Sequence, residues 1–283
     1  MGRGTEAQAR EKEMTSHAFD DAVRLTRNAG DSFTGATSPA YANMVGPFGG
    51  ITAAVLLNGA LQHPQRLGDP IALTANYASP IADGAYTLDA RPVRTNRSTQ
   101  HWVITLSQAD GIAATATAVF ATRRETWSAP EAAMPAGLPP PETLESASTV
   151  GRPEWTRRYD MRFVDGHAAA TLDGIEQPHS ESRLWVRDEP ARALDFASLA
   201  SLCDIFFPRV FVRRRRRVPA GTVTMTVFFH ADAALLAAQG DRHVLACARA
   251  LAFRNGYFDQ SAEIWSDHGQ LLASTHQMVY FRE

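Results

Sequence analysis

The first candidate for chemistry is an acid set among apolar neighbours. Asp204 lies in LDFASLASLCDIFFP, residues 194–208, where Leu194, Ala197, Leu199, Leu202, Ile205 and Phe206 recur at helical intervals. The spacing predicts one helix, stopped by Pro208, with Asp204 deep inside it. A carboxylate there loses much of its solvation unless polar partners or a functional water compensate. A second candidate is Gly49-Gly50, which opens another predicted helix over residues 49–62, GGITAAVLLNGALQ. Two residues without side chains let a backbone or ligand approach the helix start. The free amides and dipole there favour an anion or a polarised carbonyl.

Other chemistries find less support. Gly30-Asp31-Ser32 is similar to the nucleophile block of one hydrolase class, yet no Asp-x-x-His follows it and no G-x-S-x-G elbow occurs. The nine histidines lack ligand spacing, and His230-x-Asp232 runs from a strand into a loop, so no metal site is expected. Cys203 and Cys247 are too few for a disulfide framework and too far apart for a metal knuckle, which points to a reducing compartment. Cys203, in an apolar helix, reads as inert filler. The run Arg213 to Arg217 suits phosphate recognition, but a solvated loop is the simpler account.

The whole chain sets broader limits. Its 283 residues suffice for two ordinary domains or one fused pair, and 45% hydrophobic with 20% charged residues describes a soluble globular protein. A net charge of −2 offers no general attraction to nucleic acid. No segment has the uninterrupted apolar length of a membrane span, and the N-terminus lacks an apolar leader core, so a cytoplasmic location is expected. Residues 1–15 read as a frayed extension, with Met14 a candidate natural start.

The elements that must position these residues come in a repeated order. A short strand and loop are expected over residues 31–42, then the Gly49 helix, then strands over 71–77, 85–95, 99–108 and 112–122. Alternation at Trp102, Ile104, Leu106 and at Ile112, Ala114, Ala116 implies a sheet with one face on that helix. Residues 125–153 are rich in Pro, Ala and Ser and read as a linker. Beyond it come strands over 159–163 and 182–187, the Asp204 helix, and strands over 222–229, 244–253, 258–265 and 271–281. The expected units are therefore an extension (1–15), a first repeat (16–124), the linker (125–153) and a second repeat (154–283).

The repetition is visible in the residues. LTANYASP at 73–80 parallels MTVFFHAD at 225–232, and SQADGIAATATAVFATR at 107–123 parallels SDHGQLLASTHQMVYFR at 266–282, each at a constant offset.

With these motifs the chain resembles the acyl-CoA thioesterase II family, over roughly residues 30–123 and 155–282. The resemblance rests on PFGGITAAVLL, with Phe48 where the family's helix start has His, on TNRSTQ at 95–100, CDIFFP at 203–208, GTVTMTVFFH at 221–230 and DHGQLLASTHQ at 267–277. It implies an α+β fold, the double hot-dog, with two repeats each carrying a long helix wrapped by an antiparallel sheet. The family's water-holding Asp, Thr and Gln fall on Asp204, Thr222 and Gln277, all three types retained. By the offsets, Thr222 faces Pro70 and Gln277 faces Ala118, while Asp204 falls opposite Asn58, so one functional site per chain is expected. Taken singly, Asp204 is as readily a satisfied core acid, and Thr222 and Gln277 ordinary strand residues; their agreement is the argument.

The resemblance further implies hydrolysis of an acyl-CoA to free acid and CoA by direct attack of the bound water, with Gly49 and Gly50 amides at the substrate carbonyl. No metal or bound cofactor is expected, and a homo-oligomer is. Two rivals keep the fold: a non-catalytic acyl-CoA binder, and an enoyl-thioester hydratase or dehydratase, which looks for a His near Asp204.

Overall fold

The computed structural model describes residues 16–167 and 172–283, and the extension expected over residues 1–15 lies outside them. The strands are β1 (Thr26–Arg27), β2 (Ser32–Ala36), β3 (Asp69–Tyr77), β4 (Ala85–Thr95), β5 (Thr99–Gln108) and β6 (Gly111–Ala121), then β7 (Tyr159–Asp165), β8 (Ser182–Asp188), β9 (Ala220–Phe229), β10 (Val244–Arg249), β11 (Phe253–Arg254), β12 (Tyr257–Trp265) and β13 (Leu271–Phe281). All join one antiparallel sheet in the order β1-β2-β4-β5-β6-β3-β9-β13-β12-β10-β8-β7, with β11 beside β12. Outward from the β3/β9 junction the two halves read alike: β3-β6-β5-β4-β2 on one side, β9-β13-β12-β10-β8 on the other.

The junction confirms the repeat to the residue. Strands β3 and β9 pair with Thr74 opposite Thr226, which are also mates at the 152-residue offset implied by the parallel at 73–80 and 225–232. A pseudo-twofold axis therefore passes between them, and their hydroxyls bond at 3.0 Å. The second parallel holds too, since Leu73 pairs Ala118 as Met225 pairs Gln277. Even an irregularity is duplicated. The β3–β6 ladder slips between Pro70 and Ala72, and the β13–β9 ladder carries its slip where Met278 pairs Thr224 and Val279 pairs Thr222. The extra residues, Ile71 and Val223, are mates.

Helix α2 (Gly49–Leu61) is buried from Gly50 to Ala60. Its Ala, Leu and Gly residues leave no polar face, as befits a helix enclosed on all sides. It packs on β3 to β6 and on α3 (Phe196–Leu202) of the second half.

Here one expectation fails. The helix predicted over residues 194–208 is not long: α3 has seven residues, ends at Leu202, and is followed by a turn and then α4 (Arg209–Arg214). The Asp204 and Ile205 amides reach back three residues, to Ser201 (3.1 Å) and Leu202 (3.2 Å), tightening the last turn. Pro208 disfavours helical backbone at Phe207, so the chain starts afresh. Asp204 thus sits in the turn, not within a helix.

Smaller departures have equally local causes. Ile112 is exposed rather than aligned with Ala114 and Ala116, because a bulge between Leu106 and Ser107 shifts the register at the hairpin. Helices α1 (Ala18–Ala22) and α5 (Ala233–Gln239) were not expected; Asp232 caps α5 by accepting the Leu235 amide at 2.8 Å. The arginine run is not a simple solvated loop, since its first two residues end α4 and Arg213, Arg214 and Arg215 pair with Glu176, Glu283 and Asp173. Residues 125–153 contain one short turn of 3-10 helix and lay Met134, Leu138 and Leu144 on Trp185, Leu245 and Trp265. Among the described residues no helix is long and apolar enough to cross a membrane.

The halves come close at Gly50, where an added Cβ would lie 2.5 Å from the Ser201 carbonyl oxygen of the second half and 2.5 Å from the Phe48 ring. Gly50→Ala should therefore lower stability by about 1–3 kcal/mol despite the better helix propensity of alanine, read as a lower urea midpoint at unchanged slope.

Candidate functional site

The start of α2 and the turn after α3 meet where the two helices cross, and the far ends of β9 and β13 close the other side. Gln277, nearly fully buried on β13, donates through Nε2 to Asp204 Oδ1 at 2.9 Å and accepts the Thr222 hydroxyl at Oε1 at 3.2 Å. The same Nε2 lies 3.4 Å from the Cys203 carbonyl oxygen and 3.3 Å from Met225 Sδ. Asp204, Thr222 and Gln277 are thus joined in one hydrogen-bonded chain. Backbone geometry makes this possible. On regular alternation from Met225, Val223 would point inward with Gln277; the extra residue in β9 turns Val223 out, 39% exposed, and brings Thr222 in opposite Val279.

The glycines meet the acid from the other side. The Gly50 N–H is close enough to the Asp204 carboxylate to lower its proton affinity. A Cβ on Gly49 would lie 2.6 Å from Asp204 Oδ2, so any larger residue would push the carboxylate away. Phe48, in the position of the expected histidine, stacks on Trp155 at 4.2 Å between ring centres, its ring buried in an aromatic cluster with Tyr159.

Burial pushes the Asp204 carboxyl up to about 7, against the pull of the Gln277 amide and the Gly50 N–H. A carboxylate with an affinity for protons near neutrality is able to accept one from water and give it up again. Burial also raises the adjacent Cys203 thiol, helped by Asp204, which keeps it a neutral thiol.

Tyr77, the last residue of β3, was not singled out in the sequence. Its hydroxyl donates to the Gly49 carbonyl at 2.9 Å and lies 3.6 Å from the Cβ position above Gly49. The signal was present: at the offset of the first parallel its mate is Phe229, another polar group found in one copy only. The corresponding place in the other half is furnished differently. Asn58 donates to the Val23 carbonyl at 2.7 Å, Pro70 and Ala118 are buried, and Phe229 packs edge-on against Phe196 at the start of α3, 5.9 Å between ring centres. Of the other sequence candidates, His230 bonds the Ser274 hydroxyl and Asp31 lies 3.2 Å from His63, both remote in chain and sheet from Asp204. No cluster able to hold a metal ion occurs among the described residues.

Two family descriptions match this chain: the acyl-CoA thioesterase N-terminal domain over residues 38–121 and the acyl-CoA thioesterase C-terminal domain over residues 130–281. The chain belongs to the acyl-CoA thioesterase family. As such it is a thioester hydrolase. No curated protein sequence matches it. A hot-dog-fold protein of unknown function from Alicyclobacillus acidocaldarius is 47% identical, with a TM-score of 0.89 over 95% of this chain and 99% of that one. An acyl-CoA thioesterase II from Mycobacterium marinum (17% identity, TM-score 0.72, 94% and 98% covered) and a tesB protein from Mycobacterium avium subspecies paratuberculosis (17%, 0.71, 94% and 98%) share the fold. The hydrogen-bonded chain of this thioesterase lies in its C-terminal match, and Gly49, Gly50 and Tyr77 in its N-terminal one.

The raised Asp204 carboxyl has a consequence for stability. With the folded value near 7 and the ordinary one at 3.8, the folded protein holds the extra proton between those limits, so this group's contribution falls as pH rises through that window and stays unfavourable above it. Asp204→Asn should therefore gain roughly 2–4 kcal/mol over the parent at pH 8, a gain that fades below about pH 4, in paired urea titrations at the two pH values.

Proposed function

We propose that this thioesterase hydrolyses a fatty or related acyl-CoA by direct attack of a water held by Asp204, Thr222 and Gln277. The observation that carries the reading is the linked acid, amide and hydroxyl in one half, against Asn58, Ala118 and Pro70 in the other. Asp204 takes a proton as the water oxygen bonds the thioester carbon. Gln277 keeps the carboxylate in place, and Thr222 keeps Gln277 in place. The developing oxyanion meets the first turn of α2. The Gly49 amide has no helical carbonyl four residues behind it and lies at the positive end of the dipole. The Gly50 N–H, close to Asp204, lowers the proton affinity of the base. Collapse of the tetrahedral species breaks the C–S bond, and the proton on Asp204 passes to the departing sulfur.

In this reading the chain is a double hot-dog, whose two units (16–124 and 154–283) are joined by residues 125–153. The acyl group lies along α2 between helix and sheet. Ile51, Val55, Ile81, Tyr86 and Leu106 line a small apolar hollow of about 20 Å³ beside the helix start, and an acyl chain on that course enters by widening it. The enzyme works in the cytoplasm as a homo-oligomer, with no resident metal or cofactor. Phe228, Met278 and Tyr280, which project from the outer face of β9 and β13 and are each more than a third exposed, support an apolar contact between copies.

Release of free thiol from a chain-length panel of acyl-CoAs tests the reading. Asp204→Asn should fold and lose about 100- to 10,000-fold in turnover, Thr222→Val and Gln277→Ala about 10- to 100-fold, and the parent's kcat/KM should rise with pH through a midpoint near 7. Binding without thiol release across the panel would favour the acyl-CoA binder instead, and unchanged hydrolysis by Asp204→Asn would remove the assigned base.

A further inference from the structure

The five arginines at 213–217 are met by three acids. Arg213, Arg214 and Arg215 pair with Glu176, Glu283 and Asp173, and no ion pair among the described residues takes in Arg216 or Arg217. Backbone contacts fix that division. The Gly174 and Gln177 amides donate to the Arg215 and Arg213 carbonyls at 3.1 and 2.8 Å, which lays residues 173–177 along the run and commits their acids to its first three members.

Another cation arrives from residues 125–153. Arg152 holds its guanidinium carbon 4.8 Å from the centre of the Phe207 ring, and His167 meets the same ring edge-on at 6.0 Å. Burial and the nearby Arg217 charge lower the proton affinity of Arg152. Two guanidinium charges are thus held close enough to disfavour each other, a cost that an anion between them would relieve. Phe207 also ties this place to the site. It lies three residues beyond Asp204 and 6.5 Å from Trp155, which stacks at 4.2 Å on Phe48, the residue before the first turn of α2. A row of rings therefore leads from the helix start to the paired cations.

We propose that Arg152 and Arg217 bind the phosphate groups of the substrate's coenzyme A moiety, with the pantetheine arm running back along Phe207 and Trp155 to the thioester at Gly49. This rests on the reading of the site as an acyl-CoA hydrolase and names the end of the substrate that it grips. An arginine fork offers a phosphate two parallel N–H bonds, and an aromatic face under the guanidinium keeps the fork oriented. Arg217 is exposed and Arg152 half-buried, so one meets the anion in solvent and the other holds it at the protein surface. Both act far from the reacting carbon, so their contacts are the same in ground and transition states and lower KM without changing kcat.

The test sets one acyl group on coenzyme A against the same group on pantetheine, which has no phosphate, with thiol release as the readout. In the parent the KM for the CoA thioester should be about 10- to 100-fold the lower of the two. Arg217→Gln and Arg152→Gln should each raise it about 5- to 30-fold, keep kcat within about threefold, and leave the KM for the pantetheine thioester within about twofold. Arg214→Gln, which removes a charge already matched by Glu283, should match the parent on both. Equal KM values for the two thioesters in the parent, an unchanged KM for the CoA thioester in either variant, parallel losses on both thioesters, or the same rise in Arg214→Gln would overturn the anchor. If the parent hydrolyses neither thioester, the proposed function fails first, and calorimetric titration with free coenzyme A decides the anchor alone. Parent binding that Arg217→Gln weakens about fivefold or more keeps it, and equal binding or none overturns it.

Discussion

The structure turns on one carboxylate held where water alone does not solvate it. Asp204 is held from the sheet by the Gln277 amide, with the Gly50 N–H of the other half's helix close by. Neither donor carries a charge. Hydrogen bonds from neutral donors lower a carboxyl's proton affinity less than an ion pair would, so desolvation wins and the group titrates near neutrality. An arginine in place of Gln277 would have stabilised the anion and lowered its proton affinity. The choice of partners, as much as burial, sets where the acid titrates.

That arrangement depends on features that look unrelated along the chain. The extra residue in β9 turns Thr222 toward Gln277, the early end of α3 frees Asp204 from a helical position, and two glycines let α2 come close enough to touch it. The bulge is an inherited part of the scaffold, since Ile71 occupies the same place in the first half and there turns Pro70 inward. The backbone device is therefore common to both halves, and only the residue it presents differs.

Much of this was open to sequence reasoning because it concerns long-range repetition. The two internal parallels make Thr74 the mate of Thr226 and Ala118 the mate of Gln277; that Thr74 and Thr226 also face each other across the β3/β9 junction is added by the fold. The ends of β4, β5 and β13 followed from alternation and turn residues. What was hidden is local. Apolar spacing runs through LDFASLASLCDIFFP without a break, so the stop at Leu202 is invisible to periodicity and arises from the tightened turn and Pro208. The arginine run gave no sign of Glu176, Glu283 and Asp173, which reach it from distant positions in the chain. Tyr77 escaped notice because a tyrosine at a strand end is ordinary; only its mate Phe229 makes it unusual.

Fusion of two like units explains how the acid is tolerated. In a symmetric pair of identical chains each substitution appears at both sites, so a buried carboxylate and its polar partners would be present twice, with twice the desolvation. A single chain escapes that constraint. Here the second place is closed by Phe196 on Phe229, by Pro70 and by Ala118, while Asn58 finds a backbone carbonyl. Apolar packing of that kind offsets, across the same crossing of helices, what burying Asp204 costs. The pseudo-twofold axis at Thr74 and Thr226 supplies the common scaffold, and its violation a few residues away gives one half the polar groups and leaves the other to hold the fold together.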